Sequence, residues 1–290
     1  MRQAIERAFF APAGPRLLRA TRTILAVQAL WIVLSRPDLP GLAEWPAVFW
    51  SGVEPGLAAR FAYAPLGPAF AWLRYGVLVA ALAATLVGLW PRVSAAVAAC
   101  LLYQLAPLEE ILVGIPHTSF GGLTTPTIGL FLVAFADAPA AGAPPSSEFR
   151  WPVALTRLVF AFSYLSPLLA KLRFAGPLWF TADNIRAWVM VNEPLTRAPL
   201  GPTLASSEAL CWAVALGTLA LELLFPLAVF SRPAARVLVP LAAAFHVGTA
   251  LVLGYFFPSL PLLLLFVDWD VIRAARPLVT AAGGAGAGGR

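Results

Sequence analysis

The chain has 290 residues, 60% of them hydrophobic and only 12% charged, with a mean hydropathy of +0.81. A soluble domain carries about 25% charged residues, so a water-soluble fold of this length has nowhere to hide the apolar surface, and a bilayer becomes the solvent. The net charge of +6 and pI near 10 come from scattered arginines, not from a dense basic patch with interleaved aromatics; this argues against nucleic acid as a partner and fits a positive-inside bias.

In chain order the apolar runs predict an all-α, polytopic transmembrane helix bundle of about eight helices. Arg16, Arg19 and Arg22 precede the first run, and no small-residue cleavage site follows it, so it reads as a span and not a signal peptide. Segment one covers Thr21 to Leu34 and borrows its first turns from the arginine-bearing stretch. A Pro- and Trp-rich loop from Ser35 to Pro68 includes an amphipathic stretch, Trp45 to Tyr63, suited to the membrane interface. Segment two is expected over Ala69 to Trp90, and segment three over Val93 to Gly114 with Glu109 and Glu110 near its end. A tight turn, Ile115 to Ser119, leads into segment four, Gly122 to Ala136; Asp137 to Arg150 reads as a loop. Segment five is Pro152 to Lys171, and a long connection runs to Ser207. Segments six and seven are Glu208 to Phe230 and Pro233 to Leu253. Pro258 and Pro261 then interrupt the chain, and a short segment eight ends near Val267. A single domain, residues 1–278, is followed by a Gly/Ala-rich tail, 279–290, expected to be disordered.

Eight crossings put both termini on one side. Arg16, Arg19, Arg22, Arg92, Arg150, Arg232, Arg236, Arg273 and Arg276 then lie on that side, next to helix ends, which makes it the cytoplasmic one. The excess of Arg, Ala, Pro and Gly is that of a GC-rich coding sequence, which points to a bacterial inner membrane. Cys100 and Cys211 lie alone in apolar runs and offer no disulfide framework or metal site.

Ionisable groups inside a bilayer are expensive, by roughly 2.5–3.5 kcal/mol at a helix centre on insertion scales, so the few present carry information: Glu109, Glu110, His117, Arg157, Lys171, Glu222 and His246. The topology sets Glu109, Glu110, His117 and Lys171 at outer helix ends, where they can share one cavity. Glu222 and His246 sit deeper and, on consecutive helices, are placed to pair with each other. Lys171 is the one lysine against nineteen arginines. An amine can serve as a general base where arginine cannot; the competing reading is a lysine snorkelling from a helix end. His117 reads as a proton carrier or as a turn histidine capping the next helix. His246 reads as a packing histidine, Glu109–Glu110 as an acidic interface pair, and Trp45, Trp50, Trp72 and Trp179 as an interfacial belt.

Three stretches together resemble the vitamin K-dependent gamma-carboxylases: Pro116-His117-Thr118-Ser119-Phe120-Gly121-Gly122-Leu123, whose family counterpart has Asn before the histidine; Tyr164 to Leu172 with Gly176 and Trp179; and Phe245-His246-Val247 through Gly254. Their order and spacing are similar over residues 16–275, as in the stand-alone bacterial "horizontally transferred transmembrane" group. The resemblance implies that Lys171 deprotonates a reduced, vitamin K-like quinone, that His117 assists, and that His246 lines the cavity. Glu222, Glu109, Glu110, Tyr164 and Trp179 are the further candidates for supporting positions around it. The chain ends soon after its last helix and has no counterpart of the family's large lumenal domain, so the expectation narrows to the membrane half.

The leading expectation is therefore a membrane enzyme acting on a quinone or isoprenoid lipid. The alternatives are a terpene-cyclase-like enzyme, in which aromatic faces stabilise a carbocation and Glu109, Glu110 or Asp183 supplies the acid, and a non-catalytic scaffold or lipid-binding protein serving a protein partner. A secondary transporter is a weaker reading, for no inverted repeat relates the halves.

Overall fold

The computed structural model describes residues 2–37, 40–41, 68–105, 122–140, 142–192, 200–254 and 256–272. Those residues are helical apart from turns, short connections and one isolated bridge between Ala13 and Ser146. The helices are α1 (Arg2–Phe10), α2 (Pro15–Leu34), α3 (Pro68–Val87), α4 (Pro91–Leu105), α5 (Thr124–Phe135), α6 (Trp151–Phe174), α7 (Ala182–Asn192), α8 (Leu200–Ala205), α9 (Glu208–Leu224), α10 (Leu227–Phe230) and α11 (Arg232–Leu253). Three 3-10 helices join them, at Ser147–Phe149, Gly176–Phe180 and Leu260–Phe266.

Four helical stretches are long and apolar enough to cross a membrane: Pro15–Leu34, Ala69–Val87, Ser147–Phe174 and Arg232–Leu253. At ~1.5 Å per residue, each covers most or all of a ~30 Å hydrocarbon core. The exposed surface is that of an integral membrane protein. Helix α11 buries only Ala242 and His246, one turn apart, while Val237, Leu241, Val247 and Leu251 point outward. In water such a helix would not stay on the bundle; in lipid its outward face is already solvated.

Helix packing follows small residues and well-placed arginines. A Cβ on Gly129 would lie 2.8 Å from Leu25 Cδ1 and 2.9 Å from Thr156 Cγ2, so the glycine lets α5 close on both α2 and α6. The C-terminal carbonyls of α5 are held by cations from its neighbours. Arg22, buried in α2, donates to the carbonyls of Val133 and Ala136, and Arg92 at the start of α4 donates to Ala134. Cations at a helix C-terminus are favoured by the helix dipole.

The arginine-bearing first turns that segment one was expected to borrow are the first turns of α2, which starts at Pro15. Helix α1 has no counterpart among the expected segments. Segment six is interrupted: Pro226 ends α9, and the four-residue α10 follows. The connection to Ser207 is not plain loop, for it holds the 3-10 turn Gly176–Phe180, α7 and α8.

Segment eight differs most. It is no α-helix; its regular part is the seven-residue 3-10 helix Leu260–Phe266. It nevertheless runs the length of α2. Phe256 meets Trp31 with ring centroids 5.6 Å apart, the Pro258 carbonyl accepts from the buried Gln28, and Asp270 accepts from the amides of Gly14 and Leu17 at 2.8 and 3.3 Å. That path covers about 25 Å of α2 at ~1.5 Å per residue. Pro258 and Pro261 forbid a continuous α-helix, and a 3-10 helix rises faster, at ~2 Å per residue. Irregular backbone at membrane depth needs protein partners; Gln28, Arg157, whose Nε donates 2.7 Å to the Leu265 carbonyl, and Trp269, whose indole donates 3.0 Å to Leu264, provide them. Asp270 thereby caps α2 from the far end of the chain, and Gly14 admits it: a Cβ there would sit 2.5 Å from Asp270 Oδ1. The expected interfacial stretch 45–63, the turn 115–119 and the tail 279–290 lie outside the described residues.

Candidate functional site

Of the ionisable residues singled out in the sequence, Glu109, Glu110 and His117 lie outside the described residues. Arg157 binds the Leu265 carbonyl, and Lys171, Glu222 and His246 fall on one seam between α6, α9 and α11. Tyr164 and Lys171 are two turns apart on α6 and therefore share a stripe of that helix. Glu222 and, just beyond the end of α9, Phe225 are three residues apart. Tyr164 stacks on Phe225 with centroids 4.0 Å apart, which joins the two stripes.

Lys171 Nζ donates to Glu222 Oε1. The side chains are 17% and 7% exposed, so the ion pair sits inside the bundle. The 3-10 turn Gly176–Phe180 folds Trp179 back over the amine, its ring centroid 4.1 Å from Nζ. The ammonium is thus held by a carboxylate on one side and an aromatic face on another, two contacts that gain strength when desolvated. Glu222 Oε2 is buried and has no hydrogen-bond partner among the described residues.

About 10 Å along α6, at ~1.5 Å per residue, Tyr164 Oη meets His246 Nε2 at 2.8 Å. Both side chains are buried, with Phe257 edge-on to the imidazole at 5.2 Å. His246 Nδ1 has no hydrogen-bond partner among the described residues. Phe160, Phe225 and Phe266 close the aromatic wall, with Phe160 edge-on to Phe225 at 5.8 Å.

The expected pairing of Glu222 with His246 is therefore corrected: Glu222 belongs to Lys171, and His246 to Tyr164. The expectation assumed a simple hairpin between segments six and seven. Pro226, α10 and the Ser231 cap interrupt that hairpin, and α6 supplies both partners from one stripe. Asp183, the alternative acid, stands 90% exposed in an ion pair with Arg186 at 2.8 Å and does not join the seam. Cys211 is buried in the packing of α9, and Cys100 is exposed; both are free thiols. No group of three potential metal-ligating side chains occurs among the described residues.

Sequence reasoning missed Phe225, the residue that couples the two pairs. Its signal was Pro226, which ends α9 there and turns Phe225 into the bundle. It also read Trp179 first as interfacial, because a local 3-10 turn decides where that ring points. Comparison of the chain with family models, curated proteins and solved structures finds no match. The Lys171 and His246 stretches meet across Tyr164.

Proposed function

We propose that the chain is a membrane enzyme acting on a quinone or isoprenoid lipid, with Lys171 as its base and Glu222 as the group that exchanges a proton with it. The observation that carries this reading is the Lys171–Glu222 pair buried in a bundle of lipid-facing helices. An ionisable side chain at membrane depth marks a functional site by default, and this pair adds a buried carboxylate oxygen, Glu222 Oε2, that has no hydrogen-bond partner among the described residues.

The chemistry follows from the proton that the pair shares. With it on Lys171, the pair is ammonium and carboxylate. With it on Glu222, the pair is amine and carboxylic acid. In the second arrangement the amine takes the proton of a substrate hydroxyl, such as that of a quinol. The alkoxide or phenolate forms beside the new ammonium, and Glu222 Oε2 is placed to hold a second polar group of the substrate. Tyr164 and His246 line the deeper part of the same seam. The carboxylase-like motifs support a reduced quinone as the substrate; the aromatic wall suits an isoprenoid chain. His117 is proposed as the assisting group. The collection of arginines at one bundle end supports eight crossings with both termini in the cytoplasm, in a bacterial inner membrane.

The test is a mass-spectrometric inventory of lipids co-purifying with detergent-extracted wild type, Lys171→Arg and Lys171→Ala. The expected result is a quinone or prenyl lipid retained by the wild type, and present in altered amount or oxidation state in both variants, since arginine restores the ion pair but cannot act as a base. Bulk phospholipid alone in all three samples would overturn the reading and favour the scaffold. Parallel loss with Asp183→Asn and not with Lys171→Arg would favour the carbocation chemistry.

A further inference from the structure

A second charged feature lies at the opposite end of the bundle from Lys171 and has no part in the seam. Arg19, Arg22 and Arg92 converge on the eight residues that close α5. Arg22 donates to Val133 and Ala136, Arg92 to the Ala134 carbonyl and the Asp137 carboxylate, and Arg19 to the carbonyls of Pro139 and Ala140 at 2.8 and 2.9 Å. Of the three, Arg92 meets a carboxylate, Asp137, while Arg19 and Arg22 meet backbone carbonyls. Arg22 alone among them is buried. The other two cations also reach the surface: Arg19 is exposed, and the Arg92 side chain is 52% exposed.

The surroundings of the cluster are those of a lipid boundary. The α3–α4 turn exposes Val87, Leu89 and Trp90, the last at 75%, and Val93 follows in the first turn of α4. On α5, Phe131 and Phe135 pack edge to face at 4.9 Å, and both are exposed. Guanidinium groups therefore lie at the same depth as a tryptophan-bearing turn, with apolar side chains continuing towards the membrane middle. Tryptophan prefers the headgroup level, arginine binds phosphate through paired N–H donors, and basic pockets between helices on the cytoplasmic side take anionic headgroups. At the same end Arg232 is matched by Asp268 at 3.6 Å, and Asp270 is engaged with α2.

We propose that Arg19 and Arg92, set by the Arg22-capped end of α5, form a binding site for the phosphate headgroup of an anionic phospholipid, whose acyl chains lie along Phe135, Phe131 and Val93. This site is independent of the chemistry assigned to Lys171.

The experiment is native mass spectrometry of the full-length protein in detergent, titrated with phosphatidylglycerol, with phosphatidylcholine of the same acyl chains, and with inorganic phosphate. The wild type is expected to retain phosphatidylglycerol over phosphatidylcholine by on the order of tenfold at low salt. The preference should fall towards parity in Arg19→Gln/Arg92→Gln and persist in Arg232→Gln. It should also collapse in the wild type near 1 M salt, where the Debye length shrinks to about 3 Å; this arm stands if the double variant does not fold. Equal retention of both lipids by the wild type would overturn the site. So would a preference surviving high salt, an equal loss in Arg232→Gln, or displacement of the lipid by inorganic phosphate.

Discussion

Helix α6 carries a cation near each end, and the two are held in different ways. Arg157, near the start, donates to the carbonyl of Leu265 and lies 5.6 Å from the Phe266 ring centroid. Lys171, near the end, meets the carboxylate of Glu222 under the face of Trp179. Both therefore have a polar partner and an aromatic neighbour. The partner makes the difference. A carbonyl accepts a hydrogen bond but takes no proton, and an arginine gives none up, so Arg157 is a fastener for irregular backbone. A carboxylate and an amine exchange a proton, so the Lys171 end can do chemistry while the Arg157 end holds shape.

Removing one member of each pair should expose that difference. The largest effect is expected for Glu222→Leu, which strands the Lys171 ammonium inside the bundle; breaking a buried ion pair costs about 3–5 kcal/mol. Thermal unfolding in detergent should show it, and Lys171→Met added to Glu222→Leu should recover most of the loss. If the single variant unfolds like the wild type, Lys171 has an alternative route to solvent and the seam is wetter than its burial indicates.

Arg157→Met comes next. It leaves the Leu265 carbonyl buried without its donor, at a cost of about 1–3 kcal/mol. The loss should localise to residues 256–272, read as faster proteolysis or hydrogen exchange there, with the lipid content of the seam unchanged. An equal loosening of the whole bundle would remove the distinction between fastener and site.

Tyr164→Phe deletes the hydroxyl facing His246 and should cost about 1 kcal/mol, near the usual net worth of a hydrogen bond, or more if the imidazole stays unpaired. The phenyl ring keeps its stacking on Phe225. Retained stability with altered lipid retention would assign Tyr164 to the site and not to the core. The smallest effect is expected for Asp183→Ala, an exposed i,i+3 pair with Arg186. Its loss should shift stability by a few tenths of a kcal/mol at most and leave lipid content unaltered; any larger change in lipid content would return Asp183 to the list of acids.

Composition and period carried far along this chain. Apolar runs between arginine-flanked turns marked the helices because a bilayer demands both the length and the internally bonded backbone. The cost of charge in lipid singled out Lys171, Glu222 and His246 before their partners were known. Partner choice was not legible. It turns on Pro226 breaking a hairpin and on Tyr164 and Lys171 sharing one stripe of α6, which is a matter of how helices are rotated against each other.

The last segment makes the same point. Two prolines announced an interruption at Pro258 and Pro261, a local property written into ring geometry. That the interrupted stretch still runs the length of α2 depends on groups far away in sequence: the side chains of Gln28 and Arg157 and the backbone amide of Gly14. The amino-acid sequence by itself determined the solvent, the long apolar helices and several of the rare buried charges, because each depends on one residue's or one segment's transfer energy. Only the tertiary structure decided which charge meets which, because hydrogen bonds reach about 3 Å and that proximity is set by packing across the whole bundle.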